Sequence, residues 1–427
     1  MITEDFLHYI WNFKLFNTLD LKTSNNETIQ IIKSGQHNTD AGPDFFNAQI
    51  KIGNTTWAGN VEIHIKSSDW DKHQHQKDTA YDNVILHVVY ENDKNIKNSK
   101  NIHIPTFELR EIINNKLVEN YQELLFSKNW IPCSANLNDV DIFIINNWLE
   151  RLVIERLEHK SKSIKDSLKL NMNNWEETFY QQLFKYFGLK VNAEPFLLLA
   201  KKSPLKIIEK HNSIFSIEAL LFGQAGFLQD DYNDDYFQKL KNEYKFLKSK
   251  FSLSPLENSI WKFLRLRPAN FPTIRIAQLA NLLKNEPRLF SKVLSLNTIQ
   301  EFRNLFKLYA SDYWSAHYQF GKKSEKINVK NTGAVLIDAL IVNVIVPFLY
   351  VYGESVNDEN LKSKALTILQ DLKAESNTII NNFEKNGVEA KNALDSQALI
   401  ELKTNYCSQK KCLNCSIGNN LIKSIKK

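Results

Sequence analysis

Apolar positions recur at helical spacing over residues 3–16 (Phe6, Leu7, Ile10, Trp11, Phe13, Leu15). Thr3 stands as an N-cap and Glu4 and Asp5 lie in the first turn, so a helix is predicted there. The period then falls to two. Thr28–Lys33, Ala48–Ile52, Thr56–Lys66 and Val84–Glu91 are β-branched or alternating, separated by turn signals such as Gly53-Asn54, and they read as strands. A further strand through Ile102–Phe107 and a helix over about Glu108–Leu125 complete a first domain of order α-β-β-β-(α)-β-β-α, while the Asn/Lys-rich stretch Asn92–Asn101 reads as a solvated connection.

From about Val140 the pattern changes to long amphipathic stretches: Ile142–Leu168, Trp175–Phe187, Phe196–Ala200, Asp235–Phe251, Ile274–Leu283 and Leu361–Glu384. Breaks are predicted at Ala193-Glu194-Pro195, Gly223-Gln224-Ala225-Gly226 and residues 267–272, and no repeat of solenoid period is present. The fold class is therefore α+β: a mixed-sheet domain over residues 1–130, a helical region over 131–400 and a Cys-rich segment over 401–427. The apolar run Ala334–Val351 contains Asp338 and Asn343 and is interrupted by Pro347, so it reads as a buried helix, not a membrane span. No basic leader precedes the first apolar run, and a cytoplasmic location is expected.

Composition narrows this picture little. With 43% hydrophobic residues and only 12 Gly and 10 Pro in 427 residues, the chain is long and apolar enough for two or three folded domains. A formal charge of +6 suits a phosphate-bearing partner but is also common among proteins that never meet one.

Histidine does more to localise chemistry, because seven of ten (His8, His37, His64, His73, His75, His87, His103) fall in the first quarter. On the strand ending in Glu62-Ile63-His64-Ile65-Lys66, residues two apart share a face, so Glu62, His64 and Lys66 project together. The hairpin returns this strand beside Asp44, and two carboxylates on adjacent strands make a hard oxygen site suited to Mg²⁺ or Mn²⁺. The plain alternative is a half-exposed strand with ordinary polar residues on its solvent face. A second cluster follows in His73, His75, Asp78, Tyr81 and Asp82. Its imidazoles and carboxylates suit Zn²⁺, Mn²⁺ or Fe²⁺, and Asp78 suits a helix cap equally well. His37 and Asp40 are expected at the same mouth, and His87, between Leu86 and Val88, reads as a core histidine.

Near the C-terminus, Cys407-x4-Cys412-x2-Cys415 has metal-like spacing, with Cys133 the only cysteine left to complete four. The set suits Zn²⁺ or an iron–sulfur cluster, the alternative being reduced thiols. Arg265, Arg267 and Arg275 beside Trp261 and Phe263 offer either a nucleic-acid surface or a core edge with solvated arginines.

Pro43-Asp44, a hairpin and then Glu62-x-His64 resemble the signature of the restriction-endonuclease-like PD-(D/E)xK nuclease superfamily over roughly the first 110 residues. The resemblance implies a restriction-endonuclease-like sheet domain in which Asp44 and Glu62 bind Mg²⁺ or Mn²⁺, and nucleic acid as substrate. His64 stands where the superfamily has Lys; Lys66 is then the available cation and Glu4 the additional acid. One distant Cys with three near the C-terminus also resembles the iron–sulfur staple of some nucleases in that superfamily, where the distant Cys precedes the nuclease core. Over its length the chain resembles a family of uncharacterised bacterial proteins, DUF2851. Asn38-x-Asp40-Ala41-Gly42-Pro43-Asp44-Phe45, Gly59-Asn60-Val61-Glu62-Ile63-His64, Ser68-Asp69-Trp70 and Tyr81-Asp82-Asn83-Val84-Ile85-Leu86-His87 carry this resemblance. It implies segment boundaries and no activity. Two other readings stay open: a non-catalytic nucleic-acid- or partner-binding protein that keeps the nuclease fold, and a His-rich metal hydrolase of another substrate class that depends on His73, His75 and Asp78.

Overall fold

The period-two segments of the first hundred residues assemble into one curled mixed sheet in a computed structural model that describes residues 2–424. Its strands are β1 (Ile29–Lys33), β2 (Gln36–His37), β3 (Phe45–Ile52), β4 (Thr55–Lys66), β5 (Val84–Glu91) and β6 (Thr106–Glu108), in spatial order β1-β3-β4-β5-β6, with β2 also on β3. β3 and β4 form an antiparallel hairpin through Gly53, whose φ of +57° lies in the left-handed region that glycine tolerates. β4 and β5 run parallel, and a parallel pair requires a crossover. The segment between them supplies it, with helix α2 (Asp69–Lys72) and two 3₁₀ turns, His75–Lys77 and Thr79–Tyr81.

Helix α1 (Glu4–Asn12) forms where its apolar spacing predicts, and the Thr3 hydroxyl accepts the Phe6 N–H at 3.2 Å as its cap. It buries Phe6, Leu7, Ile10 and Trp11, and Phe6 stacks at 4.3 Å on Tyr121 of α3 (Asn115–Phe126). The predicted strand over Ile102–Phe107 shrinks to β6, because Lys97 and His103 pair in a separate bridge that occupies its first half. β4 is also more buried than alternation implies: Val61, Glu62, Ile63 and His64 are all buried, since the crossover covers the face expected to meet solvent.

Two compact units emerge along the chain. One comprises Met1–Leu149, Lys385–Gly387 and Leu402–Lys427, and the other Glu150–Glu384 and Val388–Glu401, so the second is inserted into the chain of the first. The second unit is mainly helical, with helices at Ile142–Leu170 (its first residues belonging to the first unit), Trp175–Phe187, Asp235–Phe251 and Pro272–Asn285. It also holds a small hairpin, His317–Gln319 with Lys322–Lys323, that periodicity does not announce. Pro195 does not end a helix as expected. Leu189–Lys202 continues through it with a kink at Asn192, whose amide exchanges two hydrogen bonds with the Lys262 backbone, at 2.8 and 2.9 Å. Leu361–Glu384 is in fact two helices, Glu359–Asp371 and Thr378–Lys385, because the Asn377 side chain accepts the N–H groups of Ile379 and Ile380 and starts a new one. Arg275 is buried and bonded to Gln278 and Asn270, so it belongs to no basic surface. Residues 334–355, long and apolar enough to cross a membrane, are a helix with a π segment at Ile341–Ile345, mostly buried within the second unit as a core helix is.

Candidate metal centre

The site lies where β4 delivers Glu62 and His64 under the crossover. Asp44, at the entry to β3, and Glu62 clasp each other's strand. The Asp44 N–H donates to Glu62 Oε2 at 3.1 Å, and the Ile63 N–H donates to Asp44 Oδ2 at 2.8 Å. These bonds continue the β3–β4 pairing beyond its end at Phe45 and Val61 and hold both carboxylates in place. Glu62 Oε1 then faces His75 Nε2 at 3.3 Å and His64 Nε2 at 3.7 Å.

His64 is 1% exposed and joins two further imidazoles: its Nδ1 lies 2.8 Å from His87 Nε2, and its Nε2 lies 3.0 Å from His73 Nδ1. Burial and the neighbouring rings hold its pKa down to about 2, and burial takes His87 to about 3, so both rings are neutral. His75 is stacked on Tyr81 with ring centroids 3.8 Å apart, and burial raises the Tyr81 hydroxyl to about 12. One ligand atom from each of His64, His73 and His75 lies within 4.8 Å of the other two, which is the spacing of a shared ion. Neutral imidazole nitrogens and a carboxylate oxygen form a donor set for Zn²⁺, Mn²⁺ or Fe²⁺ more than for Mg²⁺. With a metal on His64 Nε2, its proton sits on Nδ1 and donates to His87, which fixes the ring. Burial raises the Glu62 pKa, the nearby Asp44 charge adds to this, and His75 works against both.

Other expected residues divide around this centre. Glu4, on α1, lies within electrostatic reach of Asp44, His8 and His73, and burial raises its pKa. His37 packs against His8 and Phe45 at the same mouth, and burial lowers its pKa. Lys66 pairs with Glu91 at 3.5 Å across β4 and β5. Asp78 is exposed and caps the turn Thr79–Tyr81 by accepting the Ala80 N–H, and Asp40 is an exposed loop residue whose backbone bonds Asn38.

Two residues of the site had no assigned part in the sequence reading. His8 Nε2 lies 3.2 Å from Asp44 Oδ2; burial disfavours its charged form, but the Asp44 carboxylate outweighs this and raises its pKa. The one sequence signal was its place four residues after Glu4 on a helix, hence on the same face. His87, read as a core histidine, is fully buried yet bonded to His64, and its own Nδ1 has no partner.

Residues 4–378 match the family described as "Protein of unknown function (DUF2851)". The chain belongs to this family. The matched span contains Asp44, Glu62 and every histidine of the centre. Neither the curated proteins nor the solved structures contain a match to the chain.

Proposed function

We propose that this DUF2851 protein is a metal-dependent hydrolase of phosphodiesters, a nuclease whose ion is a transition metal held by His64, His73, His75 and Glu62. One observation carries this reading: three imidazole nitrogens converge within 4.8 Å beside a buried carboxylate. An ion bound there would lower the pKa of a bound water and offset charge developing on a phosphate. Asp44 orients His8, whose charged form it favours, so that His8 can donate a proton or hydrogen bond to an oxygen becoming negative. Glu4 and His37 line the same mouth, and Lys66, paired with Glu91, has a structural part. The phosphodiester assignment is supported by the Pro43-Asp44 and Glu62 positions and by the net positive charge.

The test is cleavage of labelled single- and double-stranded DNA and RNA by metal-stripped protein reloaded with Mg²⁺, Mn²⁺, Zn²⁺ or Fe²⁺, beside Glu62→Gln. Cutting with a transition ion that Glu62→Gln abolishes supports the reading. Folded, metal-loaded protein that cuts none of these substrates overturns it and favours a binding protein. Cutting with Mg²⁺ alone would return the ion to an Asp44–Glu62 oxygen site.

A further inference from the structure

The second concentration of metal-ligating side chains lies in the same unit but belongs to no part of the proposed chemistry. Cys133 precedes the 3₁₀ turn Ser134–Asp139. The other three stand in a short C-terminal run: Cys407 closes the π-helix Leu402–Cys407, Cys412 opens a 3₁₀ turn, and Cys415 caps the helix Ser416–Lys423. More than 270 residues separate Cys133 from Cys407 in sequence, yet the fold returns the C-terminal run to the segment that carries Cys133. The Asn120 amide donates to the carbonyls of Leu421, Ile422 and Ser424, Lys410 Nζ donates to the Leu125 carbonyl, and Lys403 lies over the Trp130 ring at 4.6 Å.

Three features support a common site for the four cysteines, beside the contacts that dock the C-terminal run on the segment leading to Cys133. Each of the six pairs among the four thiols is close enough for the charge of one to disfavour ionisation of another. Gly418 approaches the Cys412 main chain so closely that a Cβ would lie 2.3 Å from its carbonyl oxygen, so the loop is wound tightly about the helix that Cys415 begins. Cys415 is only 7% exposed, and the backbone N–H groups of Ile417 and Gly418, at the start of the helix it begins, favour the ionised form of its sulfur against burial. Backbone N–H groups beside a buried sulfur suit a metal thiolate better than a neutral thiol, a weak acceptor. All four cysteines are free of disulfides.

We infer that Cys133, Cys407, Cys412 and Cys415 bind a thiophilic metal centre, a single Zn²⁺ or an iron–sulfur cluster, that fastens the C-terminal run to the first unit. A set of four thiolates matches a closed structural site. Lys403 and Lys410 offset part of the charge of the ionised sulfurs. The centre ties together the chain on either side of the inserted second unit, and cross-links that close long loops constrain the unfolded chain most.

Anaerobically purified full-length protein, as isolated and after reconstitution with Zn²⁺, Co²⁺ or Fe²⁺ plus sulfide, is compared with Cys133→Ser, Cys412→Ser and His64→Gln. Metal content is read with the sulfur-to-metal charge-transfer absorption that imidazole sites lack. The expected result is a sulfur-ligated metal in wild type and in His64→Gln that is lost in both Cys variants. Colourless zinc that cobalt can replace, or a brown chromophore with acid-labile sulfide, then tells the two centres apart. In parallel, hydrogen exchange over residues 402–424 should accelerate when the metal is removed. Folded wild type that shows no sulfur-ligated metal after reconstitution overturns the inference, as does a Cys133→Ser protein that keeps the full signature. Neither result bears on the histidine centre, whose loss His64→Gln reports separately.

Discussion

His87 is fully buried behind His64, and it decides which nitrogen of His64 faces the other imidazoles. Its Nε2 takes up His64 Nδ1 at 2.8 Å, leaving Nε2 beside His73 and Glu62. His87→Gln should keep the fold and lower affinity for Zn²⁺ or Mn²⁺ by about 10–100-fold, as loss of a ligand's outer partner does. Titration against a competing chelator reads this directly, and unchanged affinity would mean that strand packing alone orients His64. Lys66 predicts the opposite. Its ion pair with Glu91 is half exposed, so Lys66→Ala should change stability by less than about 1 kcal/mol and leave cleavage close to wild type; a collapse in turnover would restore it as a reacting cation. At this scale the sequence was informative about residue type and poor at partners. Glu62 and His64 were legible from strand period, and Asp44 from the return of the hairpin. The His8–Asp44 and His64–His87 contacts join a helix to a loop and one strand to the next, and no local pattern encodes such pairs. Asp78 was ambiguous because a carboxylate that caps a turn and one that binds a metal look alike in sequence.

Strands and long helices were read well wherever period and burial agree, as in β3 and Trp175–Phe187. They were misread where a side chain restarts a helix, as Asn377 does, or where a neighbouring segment covers a face, as the crossover does over β4. The site depends on that second effect, because Glu62 and His64 meet His73 and His75 only through the parallel β4–β5 connection. Gly59 sets how closely these strands approach. A Cβ there would lie 2.4 Å from Ile85 Cγ2 and 2.6 Å from the Asn83 carbonyl oxygen, and a backbone oxygen cannot rotate away. Gly59→Ala should therefore push the start of β5 outward and cost about 1–3 kcal/mol in urea denaturation. Because β5 carries His87, the same variant should also bind metal more weakly. A loss below about 0.5 kcal/mol would show that the strands part easily.

At the scale of the whole molecule, two ionisable groups in the helical unit, the buried Glu218 and the half-buried Lys160, give its stability a definite pH profile. Glu218 is fully buried, accepting from Tyr236 and Ser311, and burial raises its pKa to about 7 despite these bonds. A raised carboxyl contributes stability that is complete below its ordinary value near 4.5 and fades as pH climbs to about 7. Lys160 donates to Asn343, within the π segment, and to Gln397. Burial, with Arg156 nearby, lowers its pKa to about 7, the Glu375 and Glu401 carboxylates opposing. A depressed ammonium has the opposite sign: its stability is complete above about 10.5 and is lost as pH falls to about 7. The two limbs meet near neutrality, where both groups weigh most against the fold. Hydrogen exchange over residues 150–384, which isolates this unit, should therefore show less protection near pH 7 than at pH 5 or pH 10. Relative to wild type, Glu218→Gln should gain stability progressively from pH 4.5 to 7, by about 3 kcal/mol at most, and nothing further above. Lys160→Met should flatten only the alkaline limb. If both variants track wild type at every pH, the two groups titrate in the folded chain as they do in the unfolded one, and burial has not shifted them.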